Sequence, residues 1–354
     1  MRLVSGNLGW QDRARYAKTG GSTDSPPGMS PPGDGLMLRI VAVRIALGFL
    51  TLLGVSILIF GATELLPGDV CSAIQGQGQT PETLAVCRKE LGLDRPAAVR
   101  YVEWFSSAVR GDFGVALTNK RDILKSITPK FVNTLFLAGY AAIIAVPLAV
   151  GLGILAAINE GKWIDRVANI ISLAAISVPE FFIAYVLILL FAVQRHWFPS
   201  LATVFPDTNF SHRLYVTALP AVTLTMLVTA HMLRMTRSSV LSIMSQPYIE
   251  MAFLKGLSRS RVILIHALPN AAAPIITVIA LNLAYLIVGV VVIETVFVYP
   301  GIGQFMVDGV SKRDLPVIQA GGLVFAGAFV LLNTVADVLA ILVNPRLRRA
   351  RTGA

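Results

Sequence analysis

Residues 249–274 read IEMAFLKGLSRSRVILIHALPNAAAP, a polar and basic interruption between two long apolar segments. Pro247 cannot continue the helix before it, so the sequence predicts a short new helix from about residue 248 toward Gly256, a residue suited to a helix stop. Ser258 can then cap a second short helix, which Pro269 closes or kinks. Ile249, Ala252, Phe253, Leu257, Val262 and Ile265 give this bracket an apolar contact surface. Lys255, Arg259 and Arg261 keep it in water beside a membrane. A bracket of this kind is suited to docking a partner.

The rest of the chain is too apolar for a soluble protein. Of its 354 residues, 55% are hydrophobic and 14% charged, against about 45–50% and about 25% in soluble domains. The net charge of +10 lies between apolar segments and near the C-terminus rather than interleaved with aromatics on one face. It therefore reads as topological charge, with membrane lipid and not nucleic acid beside it. The sequence contains no G-x-x-x-x-G-K-[ST] phosphate loop, no H-E-x-x-H and no G-x-S-x-G, and its four His and two Cys have no metal spacing. It reads as a non-enzyme with neither cofactor nor metal.

Apolar segments at 45–66, 134–158, 167–193, 214–235, 274–297 and 317–343 are each long enough for the roughly 20 residues that cross a bilayer core. Residues 1–35 carry no apolar run and are expected to form a disordered leader that is not a signal peptide. Basic residues flank one side of the spans: Arg39 and Arg44, Lys162 and Arg166, Arg237, Lys255, Arg259 and Arg261, then Arg346, Arg348, Arg349 and Arg351. Both termini are therefore expected in the cytosol. The expected fold is an all-α integral membrane protein with six transmembrane helices over 36–348 and a basic cytosolic tail at 349–354. A long extracytoplasmic loop, about 69–133, follows helix 1, and the cytosolic bracket, about 247–270, joins helices 4 and 5. Within the first loop, Thr80-Pro81-Glu82 predicts a helix running to Leu91 before Gly92.

The bracket resembles the EAA loop of ABC-transporter permeases, matched at Glu250, Ala252, Gly256, Leu268 and Pro269, with Met251 for an Ala and His266 for Ile. The run Leu91-Gly-Leu-Asp-Arg-Pro96, then Tyr101, Trp104 and Gly111-Asp-Phe-Gly114, resembles the first loop of dipeptide and oligopeptide permease B subunits. Glu294-Thr-Val-Phe-Val-Tyr-Pro-Gly-Ile-Gly303, with Tyr299 for Trp, Asp314 and Pro316, the pair Arg234 and Arg237, and Asn333, Asp337 and the tail 344–348 also resemble that family. Its members begin near the position of Met37, so the leader is expected to be an early start or a dispensable tail. The resemblance covers about residues 36–348. It implies a bacterial-type inner-membrane permease subunit paired with a second one as a heterodimer. Its other implied partners are two cytosolic ATPases and an extracytoplasmic solute-binding protein. It also implies ATPase docking through Glu250, Ala252, Gly256, His266, Leu268 and Pro269. The implied solute is a di- or oligopeptide, with nickel or another small solute as the alternative.

Polar residues within spans leave roles open. Glu180, after Pro179 near the middle of span three, is expensive at that depth and either lines the path or bonds between helices. Asn282 is a path candidate, and with Asn333 and Asp337 it is expected to join helices. His231, Arg234 and Arg237 serve positive-inside anchoring or coupling. Cys71 and Cys87 both fall in the first loop and are expected to bridge, the alternative being two buried thiols. A competing class is an ion-coupled secondary transporter with Glu180 as its ion site, and a third is a membrane scaffold without transport. Against both stands the docking loop, and against the carrier also the lack of a visible inverted repeat.

Overall fold

The computed structural model describes residues 34–65, 71–72, 80–90 and 92–343. The basic tail lies outside these residues, as does the leader apart from Asp34 and Gly35, which open the first helix. The chain divides into two units, 1–41 and 42–354. Of the first, the described part is only the opening turns of α1 (Asp34–Glu64). All later elements belong to the second.

The described structure is helical, with one isolated bridge between Val115 and Asp122. After α1 come α2 (Pro81–Glu90), α3 (Ala97–Val109), α4 (Ile123–Ile158), α5 (Trp163–Ser177) and α6 (Glu180–Leu187), which a π-turn at Ile188–Gln194 extends. Then follow α7 (Phe210–Val216), α8 (Ala218–Met244), α9 (Pro247–Leu254), α10 (Leu268–Val296), α11 (Ile302–Ser311) and α12 (Leu315–Val343). Five helical stretches are long and apolar enough to cross a membrane, and α5 with the α6 segment makes a sixth if that bent pair counts as one span. Val43, Ile45, Leu47, Phe49, Leu50, Ile57 and Leu58 of α1 are all exposed, as a helix facing lipid requires.

The bundle centres on α4 against α8. Ala141, Ala145, Ala149, Gly153 and Ala157 recur every four residues on α4 and are buried, forming a small-residue stripe that lets helix backbones approach. At Gly153 a Cβ would lie 2.8 Å from Thr236 Cβ and 2.9 Å from the Leu233 carbonyl oxygen. One ion pair closes α5 onto this core. The Arg237 guanidinium donates to both Asp165 oxygens, at 2.5 and 2.8 Å. Gly161 N–H and the Asn169 amide complete the carboxylate's shell at 2.9 and 2.8 Å.

Four expected boundaries change. The segment expected at 134–158 begins at Ile123, shortening the first loop, because Asp122 accepts the Lys125 N–H at 3.0 Å as an N-cap and Ile123 and Ile127 are buried. At 36 residues it spans about 54 Å, more than the ~30 Å hydrocarbon thickness that hydropathy detects. Segment three is broken, the halves meeting at 99°. Pro179 has no N–H and drives Val178 to an extended ψ of 129°, so Glu180 sits in the first turn of α6 rather than mid-helix. Segment four runs on to Met244, since the serines that lower its hydropathy do not break a helix. Pro269 does not close the bracket: turns at Arg259–Arg261 and Val262–Ala267 lead directly into α10. The π-turn there re-pairs carbonyls around a residue that has no N–H to give.

The first loop holds its own structure. Its helix starts at Pro81, where the Thr83 N–H meets the Thr80 hydroxyl at 3.3 Å, and Gly92 beyond its end has φ +64°. Tyr101, Trp104 and Phe105 of α3 cluster with Phe60 of α1, and Tyr101 shares a 2.8 Å hydrogen bond with Ser56. Cys71 and Cys87 are disulfide-bonded, with Cα atoms 5.9 Å apart.

Arg237→Met leaves the 6% exposed Asp165 side chain without its counter-charge, an arrangement that costs about 3–5 kcal/mol. Thermal unfolding in detergent should show a clear loss of stability, with Asp165→Asn in the same chain recovering part of it. Unchanged melting of the single variant would mean that the pair does not hold α5 to α8.

Candidate functional site

The bracket follows from two residues. Pro247 takes the first turn of α9, where a missing N–H leaves no helical bond unmade. Gly256 takes φ +79°. Its N–H reaches the Phe253 carbonyl at 2.8 Å, and the Leu257 N–H reaches that of Ala252 at 3.4 Å, the two bonds of a Schellman stop. The chain reverses there. Ile249 and Ala252 then meet Val262 and Ala267 in a small core, packed by Ile243, Met244 and Leu257.

Phe253 and Ile265, expected in the bracket's apolar contact surface, lie outside this small core. They join Tyr248, Met251, Leu254 and Leu264 as exposed apolar side chains. The bracket thus satisfies its own core and still presents an apolar face. Glu250 and Pro269 are exposed, Ala252 is buried, and His266 and Leu268 are half-buried. Leu268 packs on Ala157, Val240, Ile263, Ala271 and Ile275. Arg259 pairs with Glu160 and reaches the Ala157 carbonyl at 3.4 Å. The bracket is therefore continuous with α10 and clasped to the α4–α5 turn.

Glu180 and Asn282 do not form a pair. Glu180 is half-buried, with one carboxylate oxygen enclosed and unbonded among the described residues. Asn282 is buried and donates to the Val278 carbonyl of its own helix at 2.8 Å, its amide lying 4.0 Å from the Met235 sulfur. Asn333 likewise bonds within its helix, to Phe329 at 3.1 Å, whereas Asp337 joins α12 to α1 through Arg44 at 2.7 Å.

A second site lies at the other end of α10, in the run Glu294–Gly303 that the sequence reads only as a surface turn. Glu294 is fully buried. Its carboxylate accepts the Thr134 hydroxyl at 2.5 Å and the Gly303 and Gln304 N–H groups at 2.8 and 3.2 Å. Thr134 in turn accepts the Ile302 N–H at 3.0 Å, so two side chains cap α11 from outside it. Gly301 is needed because a Cβ there would fall 1.9 Å from Glu294 Oε1. Tyr299, whose amphipathic ring by itself would mark a membrane interface, is fully buried, and its phenol donates to the Asn133 carbonyl at 2.8 Å. Burial pushes that phenol up to about 12, keeping it a donor. Arg213 of α7 reaches the Asn133 side chain at 2.8 Å and covers Phe136 at 4.0 Å. Nearby, Asp314 accepts the Leu117 and Thr118 N–H groups at 3.1 and 2.9 Å and ties the first loop to α12. The signal for this site was the Glu294–Gly303 run itself. What it lacked was the partner strip on α4, 160 residues away.

The profile of a family described as "Binding-protein-dependent transport system inner membrane component" matches residues 149–349. That of its N-terminal part, "Binding-prot-dependent transport system membrane comp, N-term", matches 37–138. The chain is similar to the glutathione transport system permease protein GsiC of Escherichia coli K12, at 37% identity over 313 residues, or 88% of this chain and 99% of that one. GsiC of Salmonella typhi matches to the same identity and coverage.

Gly301→Ala is expected to dislodge the Glu294 carboxylate and to lower the unfolding temperature in detergent by several degrees. Tyr299→Phe, which removes one hydrogen bond, should cost only about 1 kcal/mol. An alanine variant as stable as the parent would show that the carboxylate is not locked there.

Proposed function

This chain belongs to the binding-protein-dependent transport system inner membrane component family, and on that premise we propose that its bracket at 247–270 is where a cytosolic ATPase drives it. The chain is a permease subunit of an ABC importer for a small solute. Membership in that family removes the ion-coupled carrier and the inert scaffold. The observation that carries the docking assignment is the bracket's construction: a separate small core, an unpartnered apolar face, and a direct helical continuation into α10.

In this reading Glu250, Ala252, Gly256, His266, Leu268 and Pro269 shape the surface on which the ATPase sits. Two ATPases hydrolyse ATP, and this chain pairs with a second, non-identical permease. An extracytoplasmic binding protein delivers solute to the face that carries Glu294 and the first loop. Six spans put both termini and the bracket in the cytosol, which the basic residues of the short loops support. The Cys71–Cys87 bridge supports an extracytoplasmic first loop, since disulfides persist in oxidising compartments. Closure of the ATPase pair tilts α10 through the bracket, and binding of nucleotide and solute with different affinity for the two arrangements moves access from outside to inside. The solute is a short peptide, a class that the glutathione permeases support. Glu180 and Asn282 are the path candidates.

Gly256→Pro cannot reach φ +79°, so it should abolish transport and ATPase co-purification while membrane insertion continues. Gly256→Ala, strained by roughly 1–2 kcal/mol, should weaken both partially. Normal recovery of the ATPases with the proline variant would sink the docking assignment. Uptake should also persist when the membrane gradient is collapsed and ATP is retained, and its arrest under those conditions would contradict an ATP-driven importer.

A further inference from the structure

We propose that a cavity on the inner half of α8, lined by His231, Arg234 and Ser238, binds a carboxylate of the transported solute on its way out. This rests on the importer reading and adds to it a solute chemistry and a place. Ile176 at the end of α5 and Met235 complete the lining of a cavity of about 340 Å³.

The spacing 231, 234, 235, 238 is one face of a helix. Arg234, Met235 and Ser238 are exposed on it, and His231 is half-buried. The neighbouring arginines are spoken for: Arg237 by Asp165, Arg259 by Glu160 and Arg44 by Asp337. Arg234 alone in this group has neither ion pair nor hydrogen bond among the described residues. It stands sixteen residues into α8, about 24 Å along the helix, at the end of the fourth apolar segment, where an arginine extends its charge toward water. Two donor side chains one turn apart, a hydroxyl one turn further on, and no carboxylate in the lining make a site for an anion. Behind Met235, outside the lining itself, the amide of the buried Asn282 lies 4.0 Å from that residue's sulfur. The broken α5–α6 junction lies beside Ile176, and irregular backbone at membrane depth is tolerated where it borders a cavity. A peptide always brings a C-terminal carboxylate, which an arginine can hold through two parallel N–H bonds.

The same chemistry fits a lipid phosphate, and the test separates the two. The chain's two cysteines are bridged to each other, so Ser238→Cys supplies one reactive thiol. It is followed by peptide mass analysis of this chain in the complete transporter in nanodiscs. A sulfonate-bearing methanethiosulfonate should react at least about tenfold faster than a trimethylammonium one, the enrichment a cationic cleft gives an anion. Arg234→Gln should erase that preference. Dialanine should protect the thiol in neutral phosphatidylcholine discs, and dialanine amide should not. Equal rates for the two reagents, or no labelling by either, would overturn the proposal. So would protection that requires anionic lipid and ignores dialanine, which would make Arg234 a headgroup anchor. Co-purification of the ATPases, read on the same preparation, reports on the importer reading separately.

Discussion

A carboxylate removed from water inside a membrane protein must be met by donors, and the one at Glu294 organises the C-terminal end of α10. It draws in Thr134 from α4 and the opening N–H groups of α11. Around it the backbone has to come so close that only glycine fits at 301 and 303. Tyr299, Asn133 and Arg213 then extend the same knot to α7. Such a network has two states of worth: fully satisfied it fixes one geometry, and partly satisfied it is costly. That holds the C-terminal end of α10 in one geometry.

The N-terminal end of α10 is built on a different principle. There the bracket is held by small apolar contacts, a glycine stop and one partly exposed ion pair, each worth little by itself. A single helix thus carries a rigid polar knot at one end and an exposed apolar face at the other. That face is continuous with α10 and, through Arg259 and Glu160, joined to the α4–α5 turn. The α5–α6 pair is broken at 99°, and the stripe of small residues on α4 brings its backbone close to α8.

The charged groups within the bundle sort by partner rather than by depth. Asp165 with Arg237 is a structural clasp, and Asp337 with Arg44 joins the first helix to the last. Arg234 and Glu180 stand apart from these: Arg234 lines a cavity, and Glu180 has one enclosed oxygen with no partner among the described residues.

Much of this was legible in the sequence. The membrane class followed from composition, and the bracket from Pro247, Gly256 and the apolar spacing between them, because a proline start and a left-handed glycine stop are local backbone constraints that neighbours cannot rescind. The approximate positions of the apolar segments followed from hydropathy for the same reason: transfer into lipid is decided residue by residue. Tertiary structure alone decided what depends on a distant partner. Nothing local says that Glu294 meets Thr134 or that Asp165 meets Arg237. Tyr299 reads as an interface residue until α4 closes over it, and α4 itself reads as starting at 134 until the Asp122 cap and the packing of Ile123 and Ile127 extend it. Whether a proline breaks a helix also waits on its surroundings: Pro179 bends the chain sharply, while Pro269 is absorbed by a π-turn, because the carbonyl each one orphans finds a different fate in the packed bundle.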